Sequence, residues 1–111
     1  MIKLDSELID LLNNILETSE LSKKYDTPLA NIILKLVEET GELSQAYLKY
    51  SGSINASKSG WDSKKHLIEE AQDVLLVVLD LLNKIIESDE DYQVFVNFLK
   101  QKNEKWKSKL K

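Results

Sequence analysis

Residues 74–82 read VLLVVLDLL, an apolar run that only Asp80 interrupts. On a helix with 3.6 residues per turn these apolar residues occupy most sides, so the run predicts the most buried helix of the protein. The whole chain of 111 residues has three Gly and one Pro, too few for a turn-rich β fold, and it is rich in Leu, Ile, Glu and Lys. The sequence therefore predicts an all-α protein.

Outward from this run, the spacing of apolar residues predicts four helices in one domain that spans residues 1–111. Thr27 is a suitable N-cap for the second helix, and Pro28 suits its first turn. Asp62 or Ser63 is predicted to cap the third helix. The predicted helices cover residues 5–17, 27–50, 64–87 and 92–107, and the connections cover residues 18–26, 51–60 and 88–91. Short connections between amphipathic helices predict a compact, four-helix bundle-like domain.

The composition excludes several classes of site and partner. Cys is absent, which excludes disulfides, Cys-ligated zinc and a Cys nucleophile, and the single His66 excludes a His-rich metal site. The formal net charge of −4 argues against nucleic acid as a partner. The apolar run is too short to cross a membrane, and the first residues lack the apolar core of a secretory signal. We therefore expect a cytoplasmic protein that binds neither nucleic acid nor membrane.

Acidic side chains gather on the second and third predicted helices. Glu38, Glu39 and Glu42 fall within an arc of about 100° that lies largely opposite the main apolar arc of the second helix. Taken alone, such an arc would be a solvated face. On the third helix Glu70 projects into the apolar stripe, with Asp73 at its edge, and a carboxylate there is unfavourable unless it is paired or binds a cation. Converging carboxylate oxygens suit Mg²⁺ or Mn²⁺.

Gly41 lies among the acids of the second helix. A glycine in the middle of a helix costs about 1 kcal/mol relative to alanine. It either permits the close approach of another helix beside the acids or has no role, and both interpretations stay open at this point.

Together the two acidic stretches resemble the signature of the all-α nucleoside triphosphate pyrophosphatases, the MazG-like family. That signature is Glu-Glu-x-x-Glu, a spacer and Glu-x-x-Asp. Here it reads EETGE at residues 38–42, then 27 residues (43 to 69), then EAQD at residues 70–73. The surrounding segments, LVEETGELSQAYLKY at 36–50 and HLIEEAQDVLLVVLDLL at 66–82, also look like the two motif helices of the family. The resemblance covers about residues 28–107.

The resemblance implies a Mg²⁺-dependent enzyme, with Mn²⁺ as an alternative, that hydrolyses a nucleoside triphosphate to the monophosphate and pyrophosphate. It implies that Glu39, Glu42, Glu70 and Asp73 hold the metal and that Glu38 orients or deprotonates the attacking water. It further implies a homodimer or a dimer of dimers, and a role in removing non-canonical or surplus nucleotides. The preferred base and sugar do not follow from the sequence.

The basic end of the fourth predicted helix departs from the family's pattern. The family often has a basic, Asn-containing motif at this place that contacts phosphates, but all 15 basic residues of this chain are Lys and the usual Arg is missing. Lys100, Asn103 and Lys107 lie on one helix face at spacings of three and four. They are predicted to bind substrate, and the alternative is a solvated basic tail.

Two functions of other classes stay open. A non-catalytic helical interaction or regulatory module would carry the same acids as a solvated face. A carboxylate-bridged redox bundle would use Glu-x-x-His motifs, which this chain lacks because Ser63 stands three residues before its only histidine. His66 is therefore predicted to be a surface residue on the third helix and not a catalytic group.

Overall fold

The computed structural model describes residues 1–52 and 60–110. In these residues the chain forms α1 (Ser6–Ser22), a 3₁₀ turn (Lys23–Tyr25), α2 (Leu29–Tyr50), α3 (Gly60–Ile85) and α4 (Asp89–Lys109), without a β-strand. The prediction of an all-α protein with four main helices is confirmed. The predicted loop at 51–60 falls mostly on residues 53–59, outside the described residues. No described helix combines the length and the apolar content needed to cross a membrane.

α1 continues to Ser22, through part of the predicted connection, because polar groups hold it against α3. Ser19 Oγ donates a hydrogen bond to Asp80 Oδ1 at 2.6 Å and accepts one from Asn83 Nδ2 at 3.0 Å. Lys84 Nζ donates to Ser22 Oγ at 2.8 Å and also forms an ion pair with Asp80. These contacts explain why an acid interrupts the apolar run of α3, since Asp80 accepts hydrogen bonds from two helices.

The other helix ends differ from the predicted ones by a few residues. Pro28, and not Thr27, is the N-cap of α2, and no side-chain hydrogen bond caps this end. α3 begins at Gly60, ahead of both predicted caps. α4 begins after Ser88, whose Oγ accepts a hydrogen bond from the backbone N–H of Asp91 at 3.1 Å. Asp89, Glu90 and Asp91 occupy the first turn of this helix, where negative charge interacts favourably with the helix dipole.

α2 and α3 form the main packed pair, and α1 packs against the other side of this pair through α3. The interior of the single chain is nevertheless small, because Ile32 and Ala46 are the buried apolar residues of the described ranges. The apolar run of α3 is half-buried, and Leu75 still exposes 48% of its surface. In the single chain this apolar run therefore keeps part of its surface exposed.

α4 shares no extended packed face with another described helix. Its first half borders a groove with the end of α3, lined by Ile86, Phe95 and Phe98 among others. Two large apolar side chains of α4, Tyr92 and Leu99, are more than half exposed. The Cα radius of gyration is 16.9 Å, whereas a domain of this length typically has about 13 Å. α4 thus carries an apolar face that the rest of its own chain leaves largely uncovered.

Candidate metal centre

Four carboxylates meet where α2 packs against α3. One oxygen from each of Glu39, Glu42, Glu70 and Asp73 lies within 4.8 Å of the other three. Each helix supplies two of these residues at a spacing of three, which projects both side chains from one side of the helix. These are the four residues that the sequence predicts as metal ligands, and the structure brings them together.

Glu39 faces inward, which corrects the expectation that the acids of the second helix lie opposite its apolar arc. Ile32, Glu39 and Ala46 are the buried residues of α2. Their spacing of seven places them on almost one line of the helix, because seven residues make nearly two full turns. Leu29 and Ile33, two apolar residues of α2, are about half exposed. The inner line of α2 therefore runs through the carboxylate.

The cluster has a buried side and an open side. Glu39 and Glu70 expose 6% and 9% of their surfaces, whereas Glu42 is exposed and Asp73 is half-buried. Within the described ranges, Glu39 Oε2 and Glu70 Oε2 are buried without a hydrogen-bond partner. Leaving a buried charged oxygen unpaired is unfavourable by about 1–3 kcal/mol or more. The orphaned oxygens therefore fit a cation that would lie between the two helices.

Positive charge near the cluster is limited. Lys35 Nζ lies 2.9 Å from Glu39 Oε1 and 3.8 Å from Glu38 Oε1. Glu70 has His66 as its ion-pair partner among the described residues, with Nε2 3.8 Å from Oε1. One lysine and one histidine face five carboxylates, so the cluster retains a net negative charge.

The pKa values at the cluster respond to this excess of negative charge. The charge of Glu39, together with desolvation and the charge of Glu70, raises the pKa of Glu42 above its usual range. The hydrogen bond to Glu39 and the charge of Glu38 raise the pKa of Lys35. A bound divalent cation would oppose the first of these shifts, because it favours the ionised carboxylate.

Glu38, the predicted catalytic residue, lies beside the cluster and outside the group of four. Its side chain is 60% exposed, with Lys35 as its ion-pair neighbour. Its position on α2 leaves it in contact with solvent next to the open side of the cluster, where a water molecule has access.

The three predicted substrate-binding residues lie elsewhere in the chain. Lys100 and Asn103 border a shallow groove on α4 with Trp106, and Lys107 Nζ lies 3.8 Å from Glu104 Oε1. α4 begins beyond the end of α3, and that end is about 18 Å along the helix from Asp73. The structure therefore does not bring these three residues to the carboxylates of the same chain.

His66 is the residue that the sequence interpretation placed differently. It is half-buried, and it forms a second group of ligating atoms with Glu69 and Glu70. A signal for this group was present in the sequence, since the three residues occupy positions i, i+3 and i+4 of one helix.

Comparisons of the chain with protein-family models, with curated proteins and with solved structures give no match. The resemblance to the MazG-like family stays a prediction, and the site is interpreted from its own geometry.

Proposed function

We propose that this protein is a Mg²⁺-dependent nucleoside triphosphate pyrophosphohydrolase, with Mn²⁺ as an alternative cation. It converts a ribo- or deoxyribonucleoside triphosphate to the monophosphate and pyrophosphate, and acts in the cytoplasm on non-canonical or surplus nucleotides. The supporting observation is the convergence of Glu39, Glu42, Glu70 and Asp73, with two buried and unpartnered oxygens, at the positions of the double acidic motif.

Each residue of the cluster has a distinct part in this proposal. Glu39 and Glu70 offer buried oxygens that are already positioned, and Glu42 and Asp73 complete the donor set toward solvent. Carboxylate oxygens are the hard ligands that Mg²⁺ prefers. When bound, Mg²⁺ links the negative protein site to the negative triphosphate and stabilises the charge that develops as the anhydride breaks.

The proposed chemistry consumes one water molecule. Its oxygen joins one of the two phosphorus atoms of the α–β anhydride, and the bridging oxygen leaves with the other phosphorus and the electron pair of the broken bond. In this proposal Glu38 accepts the proton of this water as a general base, since its side chain is exposed and it directly precedes the ligand Glu39 on α2.

Assembly into a homodimer or a dimer of dimers belongs to the same proposal. The chain exposes 8941 Å², whereas a folded monomer of this mass exposes about 6,300 Å². Obligate homodimers bury about 2,000–5,000 Å² in total, so one or two such interfaces account for the excess. Exposed apolar residues on two helices support a second copy as the occupant: Leu29, Ile33, Leu34 and Val37 on α2, and Phe98 and Leu99 on α4.

An assembly would also give the basic residues of α4 a place in the site. Lys100, Asn103 and Lys107 lie on a helix that shares no extended packed face with α2 or α3 of its own described chain, and in an assembly α4 would extend onto its neighbour. We therefore assign their phosphate contacts to the site of an adjacent copy.

The reaction is tested with a panel of ribo- and deoxyribonucleoside triphosphates in the presence of Mg²⁺, with pyrophosphate and orthophosphate measured separately. We expect pyrophosphate from at least one substrate, and none with Asp73→Asn. Glu17→Gln is the matched control, because it removes an acid of α1 outside the cluster. A panel that gives orthophosphate alone, or no product, would overturn the assignment.

A non-catalytic regulatory module is the second candidate, and the uncovered apolar face of α4 favours it. The acids would then have no ligand, although Glu39 and Glu70 are buried between α2 and α3. A cation that binds the folded state raises the melting temperature, so the absence of any shift with Mg²⁺ or Mn²⁺ would favour this alternative.

A further inference from the structure

A second group of ligating side chains lies on α3 beside the four-carboxylate cluster. His66, Glu69 and Glu70 each offer one ligand atom, and the three atoms lie within 4.8 Å of one another. Their positions at i, i+3 and i+4 place them on one face of the helix. Glu70 belongs to both groups, so the two sites are adjacent.

The distance between His66 and Glu70 suits a shared ion. His66 Nε2 is 3.8 Å from Glu70 Oε1, which is too far for a direct hydrogen bond. Two ligands of one ion, each about 2.0–2.2 Å from the metal, lie about 3–4 Å apart. Glu70 is also nine-tenths buried, and its other oxygen has no hydrogen-bond partner within the described chain. Glu70 thus presents Oε1 to the imidazole of His66 and keeps Oε2 without a hydrogen-bond partner.

We propose that His66, Glu69 and Glu70 form a second cation site that prefers Zn²⁺ or a similar transition metal, and that Glu70 bridges it to the four-carboxylate centre. Imidazole nitrogen binds Zn²⁺ well and Mg²⁺ poorly, so His66 gives this site a different selectivity from its all-oxygen neighbour. Glu69 is exposed and His66 is half-buried, which leaves coordination positions open to water or to a phosphate oxygen. The inference does not require the neighbouring centre to be catalytic.

The single histidine of the chain makes a direct test simple, because every imidazole ¹⁵N resonance of the intact protein comes from His66. The protein is first saturated with Mg²⁺ and then titrated with Zn²⁺, at a pH above the usual imidazole pKa. We expect the Nε2 resonance to move to a metal-bound position with one Zn²⁺ per chain, while Nδ1 keeps its proton. A Nε2 resonance that stays in place at saturating Zn²⁺ would overturn the proposal.

Calorimetry of two variants distinguishes a metal ligand from a residue that only positions Glu70. His66→Gln keeps a hydrogen-bond donor near Glu70 but removes the imidazole, and it should weaken Zn²⁺ binding about tenfold or more while Mg²⁺ binding is largely kept. Glu69→Gln should weaken Zn²⁺ binding in the same sense. Equal losses for both metals, or an unchanged Zn²⁺ affinity, would show that His66 is not a ligand.

Asp73→Asn separates the test of Zn²⁺ binding at His66 from the test of Mg²⁺-dependent pyrophosphate release. It should reduce Mg²⁺ binding and leave the Zn²⁺-dependent shift of His66 in place. A wild-type protein that is inactive but shows this shift would refute the pyrophosphohydrolase and retain the second site, whereas an active wild type without the shift would do the reverse.

Discussion

Replacing Glu70 with Gln is the most direct perturbation of the carboxylate cluster. The substitution keeps the size of the side chain and removes one negative charge at a position that is nine-tenths buried. Four other carboxylates, those of Glu39, Glu42, Glu69 and Asp73, have an oxygen within 4.8 Å of it, and its ion-pair partner in the described chain is one histidine, not a lysine. Without a cation, Glu70 is therefore repelled more than it is attracted.

The size of this repulsion follows from Coulomb's law. Two unit charges 4.8 Å apart repel by on the order of 3 kcal/mol at an effective dielectric constant of about 20. Part of this is already relieved, because the raised pKa of Glu42 lets that group take up a proton more easily. We therefore expect Glu70→Gln to raise the free energy of unfolding in EDTA by about 1–3 kcal/mol. For a domain of this size each kcal/mol corresponds to about 4–8 °C in melting temperature.

Excess Mg²⁺ should reverse the order of the two proteins. A cation at about 100 times its dissociation constant stabilises the wild type by about 2.7 kcal/mol. The variant should gain much less, because it lacks one buried ligand oxygen. Pyrophosphate release should fall by orders of magnitude, since the metal supplies several kcal/mol of transition-state stabilisation.

The assay is thermal unfolding of wild type and Glu70→Gln at one protein concentration, each in EDTA and in excess Mg²⁺. Glu17→Gln makes the same chemical change on the exposed surface of α1 and should stay within about 0.5 kcal/mol of wild type in both conditions. A Glu70→Gln protein that loses stability in EDTA, yet keeps the full gain on adding Mg²⁺, would refute the ligand role. It would indicate instead that the pair with His66 is structural.

Further predictions concern assembly, the α1–α3 contacts and Gly41. Light scattering at micromolar concentration should show a dimer or a larger assembly. Phe98→Glu should shift this assembly toward the 12.8 kDa monomer, and a monomeric wild type would contradict the prediction. Ser19→Ala should lower the free energy of unfolding in urea by about 1–3 kcal/mol, whereas Thr18→Ala, which loses a hydroxyl on the exposed side, should not. Burial alone would raise the pKa of Asp80, but hydrogen bonds from Lys84 and Ser19 lower it overall. The stabilisation from Asp80 is therefore present above the unfolded value of about 3.9 and is lost as the pH falls through the folded value, so Asp80→Asn should flatten the acid limb of a stability–pH curve. Gly41→Ala should raise the free energy of unfolding by about 1 kcal/mol, because an added Cβ meets no described atom within 4 Å outside the backbone of its own helix. If the variant folds normally but loses activity or assembly, substrate or a second chain lies against this position.

The helices and the carboxylate cluster were predictable because local patterns determine them. Apolar residues at helical spacing gave the four helices, and a carboxylate inside an apolar stripe indicated that Glu70 would be buried. The burial of Glu39 was missed, because the strongest apolar arc of α2 was assumed to be the inner one. In the structure only part of that apolar arc is buried, because Ile32 is covered while Leu29 and Ile33 remain about half exposed.

Other features depend on contacts that hydrophobic periodicity does not report. The extension of α1 to Ser22 depends on polar pairing with Asp80 and Lys84, which lie more than 60 positions later in the chain. The place of Lys100 and Asn103 depends on the direction of α4, which the apolar spacing within that helix does not determine. His66 was judged by residue type, although its spacing to Glu69 and Glu70 was informative.

In the proposed function, cation binding and folding would be coupled in this chain more closely than in a domain with a large core. The main packed pair is α2 with α3, and the carboxylates lie in the contact between these two helices. The apolar residues buried with them in the described chain are Ile32 and Ala46, so the attraction that opposes carboxylate repulsion is small. A bound cation converts that repulsion into a cross-link between the helices. It follows that a chelator should lower both the melting temperature and the fraction of assembled protein, since a separated α2–α3 pair cannot present the apolar surfaces on which a second copy would pack.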